Sequence, residues 1–119
     1  MKKKTVFIIE DEESWLKLWK EEISQEKVEI KEASNLIDAE DMLFGKKRDN
    51  FDAVVMDGWI GGQNTLSVIS RIREELGYTG PILAASSSPD FRITMIRHGC
   101  DHEAPKEKIP EKLAEVLML

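Results

Sequence analysis

Short strand-like runs that alternate with segments of helical spacing constrain this chain more than anything else in it. Val6-Phe7-Ile8-Ile9 is a continuous apolar run, as expected of a strand covered on both faces. Ser14 to Ser24 follows, with Trp15, Leu16, Trp19 and Ile23 at helical spacing. Val28 and Ile30 alternate with polar residues and predict a second strand. Asn35 can cap a helix carrying Leu36, Ala39 and Leu43. Gly45 then stops it, and Lys46, Lys47 and Arg48 complement its C-terminal dipole. Ala53-Val54-Val55-Met56 is the third run, followed by Asn64 as a cap and a helix with Leu66, Ile69, Ile72 and Leu76 on one face. Ile82-Leu83-Ala84-Ala85 is the fourth, and Phe91 to His98 predicts a helix ended by Gly99. Cys100 to Ala104 is the weakest strand, before a last helix with Pro110 in its first turn and Leu113, Val116 and Leu117 inward.

Strands alternating with helices imply parallel pairing through right-handed crossovers, with helices on both faces of one sheet. The expected architecture is α/β, doubly wound, a (βα)5 three-layer sandwich. The 119 residues make one domain, 1–119, and 41% hydrophobic content suits a folded core. Seventeen basic residues against 23 acidic give a net charge of −6, which disfavours direct contact with a phosphate backbone. Lys2, Lys3 and Lys4 look like the start of a signal peptide, but Glu10 to Glu13 cut short any apolar segment and no stretch reaches membrane-spanning length. A single cysteine precludes an internal disulfide and fits a cytoplasmic setting.

In such sheets, ligands bind at the carboxyl ends of the strands, where strand order reverses. The residues standing there are informative. Glu10, Asp11, Glu12 and Glu13 follow the first run, Asp57 the third, Ser86 the fourth and Lys106 the fifth. Carboxylates meeting at one edge repel one another, and a divalent cation such as Mg²⁺ relieves that. A hydroxyl and a lysine beside them are what a transferred phosphoryl group needs. An aspartate can itself be the nucleophile. Taken singly, each of these residues has an ordinary explanation, Glu10 to Glu13 as the acidic first turn of a helix. The conjunction, each residue at the end of its own strand, does not.

The motifs "VFIIEDEE", "FDAVVMDG" with Gly62 downstream, "PILAASS", and Gly99 followed by Lys106 together resemble the receiver domains of bacterial two-component response regulators. The resemblance covers residues 4–118 and implies a flavodoxin-like sheet of order 2-1-3-4-5. It implies that Asp57 accepts a phosphoryl group from a histidine kinase. Asp11 would hold Mg²⁺ directly, Glu10 would assist, and Asp57 and the Trp59 backbone carbonyl would complete the protein's ligands. Ser86 would hydrogen-bond the phosphoryl group and move toward it, and Lys106 would pair with its oxygens. Such a domain performs only its own phosphotransfer and hydrolysis, and signals by switching its binding to a partner protein through the face of the fourth helix, fifth strand and fifth helix. A homodimer is left open; nucleic acid and membrane are not expected partners. Trp59 and Ser88 would line access to the phosphoryl group.

Three departures stand out. Gly61 replaces the family's usual proline, leaving a loop with Gly58, Gly61 and Gly62 that is permissive. Glu107 replaces the proline after Lys106, so the Lys106–Glu107 bond is either trans with a shifted loop or a costly cis. Glu103 stands where the family has an aromatic ring, and a glutamate cannot fill an apolar slot; His102 beside it points to the other side of the strand. Trp15 and Trp19 read as packing residues. His98, Cys100 and His102 lack a metal-binding geometry across Gly99; Cys100 reads as a small buried hydrophobe and His98 as a complement to its helix end.

Other functions fit less well. An aspartyl phosphohydrolase wants Asp-x-Asp after the first strand, where this chain has Glu10-Asp11-Glu12. A nucleotide site wants glycines there rather than four acids. The runner-up is a degenerate receiver acting as a phosphorylation-independent adaptor, favoured by Glu103 and Glu107 and opposed by Asp11, Asp57 and Lys106.

Overall fold

The computed structural model describes residues 2–46 and 50–119; Lys47 and Arg48, read above as dipole complements, lie outside them. Strand β1 (Lys4–Ile9) leads to helix α1 (Glu13–Glu22), β2 (Val28–Ala33) to α2 (Leu36–Phe44), and β3 (Ala53–Asp57) to a two-stranded hairpin, β4 (Trp59–Ile60) and β5 (Gln63–Asn64). Then come α3 (Leu66–Glu74), β6 (Ile82–Ala85), α4 (Pro89–His98), β7 (His102–Ala104), a 3₁₀ turn (Lys106–Lys108) and α5 (Ile109–Leu117). The main sheet has five strands in order β2-β1-β3-β6-β7, and every neighbouring pair is parallel. This is the expected doubly wound flavodoxin-like order; the fourth and fifth strands of the sequence reading are β6 and β7.

The two cores follow from strand alternation. Phe7, Ile9, Val54, Met56, Ile82 and Ala84 face α2, α3 and α4, meeting Leu43, Ile69, Ile72 and Met95. Val6, Ile8, Ala53, Val55, Leu83 and Ala85 face α1 and α5, meeting Leu16, Trp19, Ile109 and Leu113. A strand buried on both sides has no polar face to show, so it reads as an unbroken apolar run. β2 and β7 lie at the sheet edges, and that is where the sequence pattern weakens. No helix of the described residues is long and apolar enough to cross a membrane.

Helix ends follow the caps. Asn35 accepts from the Asp38 N–H at 2.8 Å and opens α2, and Ser88 accepts from the Phe91 N–H at 3.2 Å and opens α4. Gly99, at φ 134°, closes α4 in a conformation that other residues adopt only under strain. Asn64 accepts from the Leu66 N–H at 3.2 Å, one residue ahead of the N-cap, Thr65.

Cys100 is buried against the α3–α4 side of the sheet, and burial pushes its thiol up to about 12. The thiolate is the reactive form. Native protein at pH 8 is therefore expected to resist iodoacetamide, with one alkylation appearing only on unfolding in urea; intact mass reads the difference.

Candidate phosphoryl-acceptor site

The chain leaves β1 toward β2 on one side and later fills β3 on the other, so strand order reverses between β1 and β3. Glu10 and Asp11 stand just past β1, and Asp57 is the last residue of β3. Carboxylate oxygens of Glu10, Asp11 and Asp57 lie within 4.8 Å of one another, the metal-competent grouping found among the described residues. Glu10 is fully buried, Asp57 nearly so, and Asp11 is exposed.

Lys106 reaches into this group from beyond β7. Its Nζ is 2.8 Å from Glu10 Oε1 and 3.3 Å from Asp57 Oδ1, and the residue is 6% exposed. Burial pushes Glu10 up to about 8, and the Asp57 carboxylate beside it adds to the shift. Asp57 is raised as well, chiefly by burial. Burial acts to lower Lys106, but contact with Glu10 and Asp57 outweighs it and the net shift is upward.

The donor set fits a hard divalent cation. Three carboxylates against one ammonium leave an excess of two negative charges, and Glu10 Oε1 has no well-directed hydrogen bond besides its ion contact with Lys106. Oxygen donors of this kind suit Mg²⁺ or Ca²⁺.

Lys106 is delivered without proline. The described residues contain no cis peptide bond, so Lys106–Glu107 is trans. The turn closes through the Lys108 N–H to the Pro105 carbonyl at 2.9 Å. Trp19, fully buried in α1, donates its indole Nε1–H to the Lys106 carbonyl at 2.8 Å. Trp19 therefore does more than pack: it pins the lysine's backbone from the opposite end of the chain.

The glycine loop is an ordered hairpin. Gly61 and Gly62 have φ of 58° and 81°, the left-handed pair that a two-residue hairpin turn requires. The Gly61 N–H donates to Asp11 Oδ2 at 3.0 Å. Proline has no N–H and could not make that bond. Gly58 is close-packed: a Cβ there would sit 2.7 Å from the Phe91 ring. That ring in turn lies 5.8 Å from the Trp59 indole, which is 51% exposed. Thr65, buried, donates its hydroxyl to the Asp57 carbonyl at 2.6 Å. No sequence signal marked Thr65; its role depends on the hairpin returning the chain to the end of β3.

Ser86 follows Ala85, the register partner of Asp57, so its hydroxyl lies at the adjacent strand end. Its Oγ accepts from the Ser88 N–H at 3.1 Å. Glu103 accepts from Arg92 Nε at 2.8 Å instead of filling an apolar slot. The His98–Cys100–His102 trio does not assemble: His98 Nδ1 lies 2.9 Å from the Thr94 carbonyl and His102 lies beside Asp101.

The family model for the response regulator receiver domain matches residues 6–118, and this chain belongs to that family of phosphoacceptor signalling domains. No curated protein matches it in sequence. Among solved structures, it is similar to a Burkholderia pseudomallei response regulator containing a phosphorylated aspartic acid, calcium ion and citrate, at 19% identity and a TM-score of 0.80. That match covers 96% of this chain and 66% of the other, so this chain spans just under two thirds of that protein. A two-component response regulator from Clostridium difficile is similar at 17% identity and TM-score 0.79, covering 98% and 97%. A CheY-like receiver domain protein from Methanospirillum hungatei is similar at 15% identity and TM-score 0.78, covering 98% and 92%.

Proposed function

We propose that this chain is a single phosphorylatable receiver, 1–119, which takes a phosphoryl group from a histidine kinase onto Asp57 and thereby changes its affinity for a partner protein. The observation that carries the reading is the buried Asp57 carboxylate flanked by Lys106 at 3.3 Å and clustered with Glu10 and Asp11. An oxygen of Asp57 attacks phosphorus, and the bond from phosphorus to the donor's imidazole nitrogen breaks, the nitrogen leaving with the electron pair. Glu10, Asp11 and Asp57, with the Trp59 carbonyl, would hold Mg²⁺, which when bound supplies positive charge against the phosphoryl oxygens. Lys106 places a second positive charge beside the same oxygens, and the Ser86 hydroxyl donates to one of them. Phosphorylation turns the singly charged Asp57 carboxylate into an acyl phosphate of roughly two negative charges, and Lys106 with a bound metal would offset the gain. Trp59 and Ser88 lie on the access side, although Ser88 also caps α4. The face of α4, β7 and α5 is the output surface in this reading, and the acidic surface argues against nucleic acid.

The test is intact mass after incubation with acetyl phosphate, with and without Mg²⁺, beside Asp57→Asn. The expected result is one added phosphoryl group, lost in the variant and without metal. An unmodified protein that binds its partner equally well as Asp57→Asn would replace this reading with the adaptor.

A further inference from the structure

Arg92 and Glu103 form a contact that the phosphoryl-acceptor chemistry above does not use. Glu103 sits in β7 next to Ala104, which packs toward α5, so strand alternation turns Glu103 toward α4. Arg92 comes from α4 and is buried although charged. Its Nε donates to Glu103 Oε1 at 2.8 Å, and its Nη1 donates to the Ser86 carbonyl at 2.6 Å. The planar guanidinium satisfies both at once, with its donors held in a fixed fork. The same segment is tied within itself. The Ser88 N–H donates to Ser86 Oγ at 3.1 Å, and the Arg92 N–H donates to the Ser88 carbonyl at 3.0 Å. Among the described residues, the charged contact that ties the Ser86 segment to another strand runs through Arg92 to Glu103 in β7.

We propose that Arg92 is a positioning residue: anchored by Glu103, it holds the Ser86 segment in its resting geometry, and phosphoryl transfer to Asp57 proceeds against that restraint. This rests on the reading of Asp57 and Ser86 given above. Ser86 stands one residue past the register partner of Asp57. A phosphoryl group on Asp57 draws the Ser86 hydroxyl toward it, and the Ser86 carbonyl cannot follow without loosening its bond to Arg92. The guanidinium then redistributes toward Glu103 or solvent at the surface between α4 and β7. A charge pair thus occupies the coupling position where the family resemblance leads one to expect a ring.

The experiment compares wild type, Glu103→Gln, Arg92→Gln and the double variant. Two readouts are used: the rate of phosphoryl adduct formation from acetyl phosphate with Mg²⁺, and the amide NMR shifts of Ser86 and Ser88 without phosphodonor. Each single substitution is expected to speed adduct formation about threefold to tenfold, the worth of one partly exposed charge pair. The double variant is expected to gain little more, because both changes remove the same contact. The amides of Ser86 and Ser88 are expected to shift in Glu103→Gln before any phosphodonor is added. Glu103 is exposed, so Glu103→Gln carries the test even where Arg92→Gln fails to fold. Parental rate with parental amide shifts in Glu103→Gln, on a wild type that does take the adduct, overturns this inference alone. A wild type that takes no adduct overturns the receiver reading and this inference together.

Discussion

Lys106→Met is expected to cost the metal-free protein about 3 kcal/mol at pH 8, because removing one partner of a buried ion group strands the others. Glu10 and Asp57 would then share a buried edge with no ammonium beside them. The loss should shrink to about 1 kcal/mol at pH 5, where the stranded carboxyls can take up protons. The sign follows from the direction of the shifts. Glu10 is raised to about 8, so the folded protein binds more protons than the unfolded chain between the ordinary glutamate range and pH 8. Stability from that group is full below the unfolded value and fades as pH rises through about 8. Lys106 lowers both Glu10 and Asp57, so its removal raises both; because Glu10 is already raised to about 8, the added fall between pH 5 and 8 comes chiefly from Asp57. Urea melts in EDTA across pH 5 to 8 read the difference. A loss that does not vary with pH would show that the carboxyls are not what Lys106 stabilises.

Trp19→Ala is expected to cost about 4 kcal/mol, in the range for emptying a fully buried aromatic site. Trp19 fills the space between β1, α1 and α5, so nothing nearby can close the cavity without moving a helix. Trp19→Phe separates packing from hydrogen bonding. Phe retains much of the ring volume but leaves the Lys106 carbonyl without its indole donor. That carbonyl still accepts from the Ile109 N–H, so the expected loss is smaller, about 1–2 kcal/mol. The Phe variant should also slow phosphoryl uptake more than its stability loss explains, because Lys106 is then held less firmly beside Asp57. Equal uptake by Trp19→Phe and the parent, measured well below the melting range, would make Trp19 a packing residue only.

Much of the arrangement was legible in local pattern. β1, β3 and β6 are buried on both faces, and a strand in that position must be apolar throughout, so its sequence announces it. Helical spacing marked the intervening segments, and Asn35, Gly99 and Pro110 are local signals acting within a turn of where they stand, whereas the Ser88 cap of α4 went unread. Because ligands gather at the carboxyl ends of parallel strands, Glu10, Asp11, Asp57, Ser86 and Lys106 could be picked out by position alone. The structure brings Glu10, Asp11, Asp57 and Lys106 into one cluster and sets Ser86 at the adjoining strand end.

What tertiary structure alone decided are the partners that cross the fold. Trp19 and Lys106 are 87 residues apart, Asp11 and Gly61 are 50, and Arg92 and Glu103 are 11. Each contact depends on how a helix or loop docks against the sheet edge, which neither propensity nor periodicity specifies. Glu107 left the peptide after Lys106 open between two forms, and it is trans, the form favoured wherever the following residue is not proline. Glu103 looked like a missing aromatic because a sequence shows the residue at a position and not the partner it meets in the fold. The guanidinium that answers it comes from α4, and only the packing of that helix beside β7 makes the substitution intelligible.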